Sequence, residues 1–115
     1  MLIPEIKQGR TFALSIKRTA ADKVTAVDWP TGTLRSQVRN KHSGALIATM
    51  TVDDTNRLAA DGGVVVLRLT DEQTEAITFL GTGWCDVESD ASGVLGTAVP
   101  AFDISVTNVP TERSA

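Results

Sequence analysis

The sequence is poor in the residue types from which most catalytic and metal centres are built. Among 115 residues it has one cysteine, Cys85, and one histidine, His42. A single cysteine excludes an internal disulfide and a cysteine-based zinc site, and a single histidine excludes a histidine cluster. We therefore predict no metal and no cofactor.

Aromatic residues and long apolar runs are also scarce. Tyrosine is absent and aromatic residues make up 4% of the chain, which leaves few side chains on which nucleic-acid bases could stack. No stretch approaches the roughly 20 apolar residues that cross a bilayer. The opening residues Met1–Lys7 lack the charged region and apolar run of a signal peptide. We expect no nucleic-acid partner, no membrane partner, and folding in the cytoplasm.

The charge is modest but unevenly distributed along the chain. The net charge is −3, whereas a nucleic-acid-binding domain would show a basic footprint. Up to Val52 there are eight Lys and Arg against three Asp and Glu, which is +5; from Asp53 onward there are three against eleven, which is −8. A chain of 12.2 kDa suits one domain, which we place at residues 1–110, with a frayed tail at 111–115.

What the sequence does contain is a series of short segments with the period-two alternation of β-strands. Thr11–Lys17, for example, places Phe12, Leu14 and Ile16 on one face. The strand candidates are Thr11–Lys17, Lys23–Val27, Thr33–Arg39, Ala45–Val52, Gly63–Thr70, Trp84–Ser89 and Ala101–Thr107. Turn-forming residues separate them at Asp28–Gly32, Asn40–Gly44 and Asp90–Gly93.

Helical signals are short. Asp71–Ile77 predicts one or two helical turns, and Thr55–Ala59 allows another turn. Many short strands with so little helix favour an all-β fold, an antiparallel immunoglobulin-like sandwich of about seven strands with one short helical turn; a small β-barrel is the alternative. The predicted core is Phe12, Leu14, Ile16, Val38, Leu67, Leu69, Trp84, Val87, Phe102, Ile104 and Val106.

Few residues invite a chemical role. His42 lies in a polar loop, and no strained turn exposes a serine nucleophile that it could serve. Asp86, Glu88 and Asp90 share one strand face, which is compatible with a calcium site, but without an EF-hand-type loop a solvated face is the preferred interpretation. Cys85 is predicted to be buried and inert.

Basic residues and one tryptophan are the remaining candidates for surface contacts. Arg35, Arg39, Lys41 and Arg68 could form a basic stripe on one sheet face. Trp29 lies beside Pro30 in a turn, and we expect it to be the most exposed aromatic side chain. Our predicted contact residues are therefore Trp29, Arg35 and Arg39.

The order of several short motifs resembles that in small modules of tailed phages and prophages, including the N-terminal domain of baseplate upper proteins. The resemblance is carried by short segments that follow one another along nearly the whole chain. They are Gly9-Arg-Thr-Phe12, Asp28-Trp-Pro-Thr-Gly32, Gln37-Val-Arg39, Leu69-Thr-Asp-Glu-Gln-Thr74, Gly83-Trp-Cys-Asp-Val87, Gly93 and Ser105-Val-Thr107. The chain differs from that group in having Trp84 where a tyrosine-type aromatic is commoner.

This resemblance implies an immunoglobulin-like sandwich and a structural role in the virion or in tail assembly. We accordingly expect a module without enzymatic activity that works through contacts with other phage structural proteins, as a homo-oligomer or on a tail scaffold. It would be located in the virion, or in the host cytoplasm during assembly. A carbohydrate- or cell-surface-binding β-sandwich is the alternative function.

Overall fold

The structure, a computed structural model, describes residues 3–107. The all-β prediction is confirmed: seven strands account for most of these residues, and the helical content is one turn of 3-10 helix at Ala59–Asp61 and the short helix α1 at Asp71–Glu75. The strands are β1 (Glu5–Lys7), β2 (Phe12–Lys17), β3 (Thr33–Asn40), β4 (Leu46–Asn56), β5 (Val64–Leu69), β6 (Gly81–Ala91) and β7 (Val94–Thr107).

The seven strands form one sheet in the order β1-β7-β6-β3-β4-β5-β2. All neighbours are antiparallel except β1 and β7, which are parallel. Strand β2 pairs with β5, β3 pairs with β6, and β6 pairs with β7, and these pairings also occur in immunoglobulin-like sandwiches. The sheet curls so far that it is nearly closed, which gives the sandwich a barrel-like form.

Strand β4 joins the two layers of the sandwich. Its first half, Leu46–Met50, pairs with β3, and its second half, Thr51–Asn56, pairs with β5. One layer therefore contains β1, β7, β6, β3 and the first half of β4. The other contains the second half of β4 with β5 and β2.

The core lies between the layers and is built from the alternating positions of each strand. Seven of the predicted core residues are buried, namely Phe12, Val38, Leu67, Leu69, Val87, Ile104 and Val106. Leu14, Ile16 and Phe102 are partly buried and pack against this core. Further buried residues include Ile6, Trp29, Leu34, Met50, Val65, Ile77 and Cys85.

The prediction for Trp84 is wrong. Its side chain is half-buried on the outer face of β6, because the buried positions of this strand are Gly83, Cys85, Val87 and Ser89. Side chains alternate along a strand, so Trp84 and Val87 cannot both face the core. The alternation of the acidic residues Asp86 and Glu88 already indicated the outward face.

The prediction for Trp29 is also wrong, in the opposite sense. Only 3% of this residue is exposed, although it lies in a turn next to Pro30. The turn folds the indole under one end of the sandwich, where its Nε1 donates to the carbonyl oxygen of Gly63 at 2.7 Å. A tryptophan N–H usually finds such a partner when the ring is buried.

Local hydrogen bonds override two other predictions. The predicted strand Lys23–Val27 is instead a loop, with one isolated bridge from Ala26 to Thr19. The Asp22 carboxylate accepts hydrogen bonds from the backbone N–H groups of Val24 and Thr25, and Lys23 has a φ of 63°. These local interactions prevent the extended backbone of a strand. The Thr55–Ala59 helical turn is displaced, since β4 continues to Asn56.

The helical segment predicted at Asp71–Ile77 is present as α1, which begins at Asp71 as predicted and ends at Glu75. Thr70 is the N-cap, and it forms a capping box with Gln73. Strand β7 is longer than predicted because Pro100 lies where the register with β6 shifts, a position that tolerates a residue without an N–H. The predicted frayed tail at 111–115 is outside the described residues.

Candidate functional site

A mixed polar surface covers the outer face of the larger layer. Three residues of β3 lie directly opposite three residues of β6: Arg35 faces Glu88, Gln37 faces Asp86, and Arg39 faces Trp84. We call these six residues the outer-face cluster. They line a shallow cavity of about 210 Å³.

Charge pairing holds the cluster in place. The Arg35 guanidinium lies 2.6 Å from a carboxylate oxygen of Asp90. Arg39 donates to the Gln37 side-chain oxygen at 2.8 Å and to the Gly44 carbonyl at 3.1 Å. The two predicted contact residues Arg35 and Arg39 are therefore at the surface, while the third, Trp29, is in the core. The tryptophan on the surface is therefore Trp84 and not Trp29 as predicted.

Asp86 is the unusual acid of the outer-face cluster. Partial burial raises the pKa of its carboxyl group above the ordinary value, and the neighbouring charge of Glu88 raises it further. Arg39 acts in the opposite direction. The cluster therefore contains a carboxylate whose charged form is destabilised by its surroundings, and this form would gain from a cationic or hydrogen-bond-donating partner.

The predicted basic stripe is not an open positive surface. In addition to the Arg35 pair, the Lys41 Nζ lies 2.9 Å from an Asp103 carboxylate oxygen, and the Arg68 guanidinium lies 3.6 Å from Asp53. Each of these cations thus has an acidic neighbour. Alternating signs on an exposed sheet face suit contacts between proteins better than binding along a phosphate backbone.

The carboxylates do not converge. Within residues 3–107, no three His, Cys, Asp or Glu side chains lie close enough together to hold a metal ion. Asp86, Glu88 and Asp90 do share the outer face of β6, but Asp90 is turned to Arg35 and also accepts from the Gly93 N–H at 2.9 Å. The alternative of a calcium site at these residues gains no support from this geometry.

The two residues with potential chemistry of their own lie far from any shared site. His42 is exposed in the β3–β4 loop, where its backbone N–H donates to Asn40 at 2.8 Å. Cys85 is fully buried, and burial raises the pKa of its thiol. Its Sγ lies 3.2 Å from the Ser36 Oγ, so the thiol occupies a small polar site between two strands of the core.

A further cavity lies at the seam, where the curled sheet does not close. Within residues 3–107, β1 pairs with β7 only from Ser105 to Thr107, and β2 is the edge strand at the other end of the sheet. Between them is a groove of about 610 Å³, which we call the seam groove. It is lined by Ile3, Pro4, Leu14, Ile16, Val99, Ala101, Phe102 and Asp103.

One side chain crosses the seam. Arg18, just after β2, donates to the carbonyl oxygen of Ala98 in β7 at 3.4 Å. The Arg18 side chain therefore links β2 to β7 at the position where backbone hydrogen bonds between these strands would close a barrel. The groove between β2 and β7 has a mainly apolar lining.

The second notable surface is the tip of the β6–β7 hairpin. Ala91 pairs with Val94 across the two-residue turn Ser92–Gly93, and both turn residues have positive φ, 54° and 87°. Such turns match the twist of a hairpin. The last pair between β3 and β6 is Thr33 with Asp90, so Ala91, the turn and Val94 lie beyond the last β3 pair.

Two apolar side chains that follow this turn are mostly exposed. Val94 is 72% exposed and Leu95 is 65% exposed. We call these two residues the apolar tip. They are two of the seven large apolar side chains that are exposed in the described part of the chain. Sequence reasoning missed both this feature and the seam groove; a signal for the tip existed in two adjacent aliphatic residues directly after a turn glycine.

The family and curated-protein comparisons identify no relative of this chain. The chain matches no protein-family model, and a search of curated proteins finds no significant match. No helix in the described part of the chain is long and apolar enough to span a bilayer. Any functional assignment must therefore be argued from the surfaces described above and from the ordered motifs in the sequence.

Proposed function

We propose that this chain is a structural module of a phage or prophage virion, in the tail or a baseplate-like assembly, and that it acts through protein–protein contacts without catalysis. The observation that carries the proposal is the presence of an apolar seam groove at the edge of the sheet, together with the exposed apolar tip. Both features leave apolar surface and strand edges available to neighbours. The phage assignment rests on the ordered motifs from Gly9 to Thr107.

The arrangement of the remaining polar groups is consistent with this role. An active site normally brings several polar groups together in a deep pocket. Here the seam groove is lined mainly by apolar residues, and the sole histidine lies in an exposed loop. The ion pairs of the outer face, such as Arg35–Asp90, resemble the polar rim of a protein contact. The partners would be other phage structural proteins or further copies of this chain.

The decisive experiment is to look for the protein in particles. Virions induced from a host that carries the gene would be purified on a density gradient and analysed by mass spectrometry. We expect the protein to co-sediment with the major tail proteins at a constant ratio, and deletion of the gene to yield particles that lack complete tails. Abundant protein in the lysate that never enters particles would overturn the proposal.

A second candidate function is binding of a cell-surface carbohydrate. The observation in its favour is Trp84, an aromatic side chain beside the hydrogen-bonding groups of Arg39 and Asp86 in a shallow cavity. Sugar rings pack on aromatic faces while polar neighbours bind the hydroxyl groups. A glycan array would test this, with Trp84→Ala expected to lose binding and Trp84→Phe expected to retain part of it. No signal with the unaltered protein would eliminate this candidate.

A further inference from the structure

We propose that the outer-face cluster of one copy binds the outer-face cluster of a second copy, about a two-fold axis that runs along β3 and β6. This inference rests on the proposed structural function and names one of its contacts. A two-fold interface brings one patch against itself, so the patch must be complementary to itself. The cluster meets this condition because its two cations lie on β3 and its two acids on β6, namely Arg35 and Arg39 beside Asp86 and Glu88.

The chain does not use these charges to pair its own two strands. Arg35 lies opposite Glu88 in the register, but its guanidinium is paired with Asp90 at 2.6 Å. Arg39 donates to two neutral oxygen atoms. Within residues 3–107, neither Asp86 nor Glu88 forms an ion pair. Both carboxylates are therefore available to donors from outside the chain, and Arg39 is available to an acid.

The register determines which two-fold axis the charges allow. With the axis along the strands, β3 of one copy lies over β6 of the other, and each residue meets the one that is opposite it in its own sheet. Arg35 then meets Glu88 of the second copy, and Gln37 meets Asp86. With the axis across the strands, β3 would lie over β3, so that Arg35 would meet Arg39. Like charges oppose that second arrangement.

The third pair of the cluster adds a contact of a different kind. Arg39 of one copy would lie over Trp84 of the other, and a guanidinium can stack on the face of an indole. Asp86 lies two residues further along the same strand face, roughly 7 Å away, within reach of the same guanidinium. Its charged form, which its surroundings destabilise, would gain a cation there. Two sheets often pack face to face with their strands nearly aligned.

The test uses sedimentation velocity of the full chain at up to about 1 mM in low and in high salt, since a small polar contact is expected to be weak and salt-sensitive. The variants are R35E and E88R. Each brings like charges together twice in a dimer of identical copies. In a mixed dimer, a copy with two positive charges at positions 35 and 88 faces a copy with two negative charges.

Two further sets of variants control this exchange. R10E and E75R change the same charges at exposed positions outside the cluster. Because R35E also removes the partner of Asp90, a second exchange uses Q37E and D86K, the next pair along the strands. Circular dichroism and thermal melting would verify that each variant is folded.

We expect the unaltered chain and the two controls to dimerise in low salt, and to dimerise more weakly in high salt. R35E alone and E88R alone should each associate about a hundredfold more weakly than the unaltered chain. An equimolar mixture of the two should associate within about tenfold of the unaltered chain. The mixture of Q37E and D86K should likewise associate more tightly than either variant alone.

Three results would each overturn the inference: an unaltered chain that is monomeric at the highest concentration in low salt, association that R35E and E88R leave unchanged, or mixtures that associate no more tightly than their components. Any of these would leave the proposed function intact if the protein is found in particles. Absence from particles would remove the proposed function and not a measured dimer.

Discussion

The indole Nε1 of Trp29 donates a hydrogen bond of 2.7 Å to the carbonyl oxygen of Gly63. Gly63 has a φ of 63°, and a side chain there would place its Cβ 2.8 Å from the Val27 carbonyl oxygen. The close approach of the two backbones is therefore possible only with glycine. Together the two residues close one end of the sandwich, between the turn before β3 and the start of β5.

Replacing Trp29 by Ala should destabilise the fold by about 3–5 kcal/mol, the usual cost of deleting a large buried aromatic side chain. Trp29→Phe should cost less, because it keeps most of the packing and removes one of the two donors to the Gly63 carbonyl oxygen, which still accepts from the Arg18 backbone N–H at 2.9 Å. Urea unfolding of both variants provides the measurement. The matched variant is Trp84→Ala on the outer face, for which we expect a loss below about 1.5 kcal/mol. Equal losses for the two tryptophans would contradict the orientation of β6.

A second prediction concerns the turn before β3. Gly32 has a φ of 97°, and a Cβ there would lie 2.3 Å from the Asp90 carbonyl oxygen. Gly32→Ala should therefore cost more than the roughly 1 kcal/mol expected from an unfavourable φ alone. Gly44→Ala is the control, because Gly44 has a φ of 74° with nothing within 4 Å of the added atom. Chemical denaturation that ranks the two variants equally would disprove the contact.

A third prediction follows from the raised pKa of Asp86, whose causes are partial burial first and then the charge of Glu88. A carboxyl group with a higher pKa in the folded state favours folding while it is protonated, and this contribution is lost as the pH rises through the folded-state pKa. Asp86→Asn should therefore raise the Tm at pH 7 by about 1–3 °C. The difference should shrink toward zero at pH 3.

Thermal melts across this pH range provide the test. The comparison variant is Glu75→Gln on the exposed side of α1, which should show a smaller gain at pH 7. If Asp86→Asn lowered the Tm at neutral pH, the charged carboxylate would be stabilising, and the balance between Arg39 and Glu88 would have to be reversed.

A fourth prediction concerns Cys85. Its thiol is buried, its pKa is raised by burial, and its Sγ lies 3.2 Å from the Ser36 Oγ. Because the thiolate is the reactive form, reaction with a thiol reagent should be slower by on the order of 100-fold or more in the folded protein than in denaturant. Following the labelling rate against urea concentration gives the free energy of opening. Fast labelling without urea would show that β6 opens locally.

Most strands were predictable because one face of each strand is buried, and this burial appears in the sequence as alternating apolar and polar residues. It identified β2, β3 and β5 closely. Predictions failed where a local interaction decides the backbone. The Asp22 carboxylate binds backbone N–H groups of Lys23–Val27 and makes this segment a loop. The alternation of apolar residues does not show that a side chain will bind backbone N–H groups that a strand would use for pairing.

The candidate surfaces were less predictable because they depend on which strands lie side by side. Arg35 and Arg39 were placed correctly on a surface, but their neighbours Asp86 and Trp84 follow from the register of β3 with β6. The seam groove brings residue 14 beside residue 102, a distance in sequence that no local pattern spans. For Trp29 the turn itself was predicted correctly, but the residues of a turn do not show whether a side chain in it will be buried.

Because β4 belongs to both layers of the sandwich, neither layer has a complete set of strands without the other. A force on the larger layer is transmitted along the covalent backbone of β4 into β5 and β2, rather than across side-chain packing alone. The molecule should therefore respond to load as one mechanical unit, with no sliding plane between its layers. In an assembly under tension, the weakest points would then be the contacts between copies and not the domain itself.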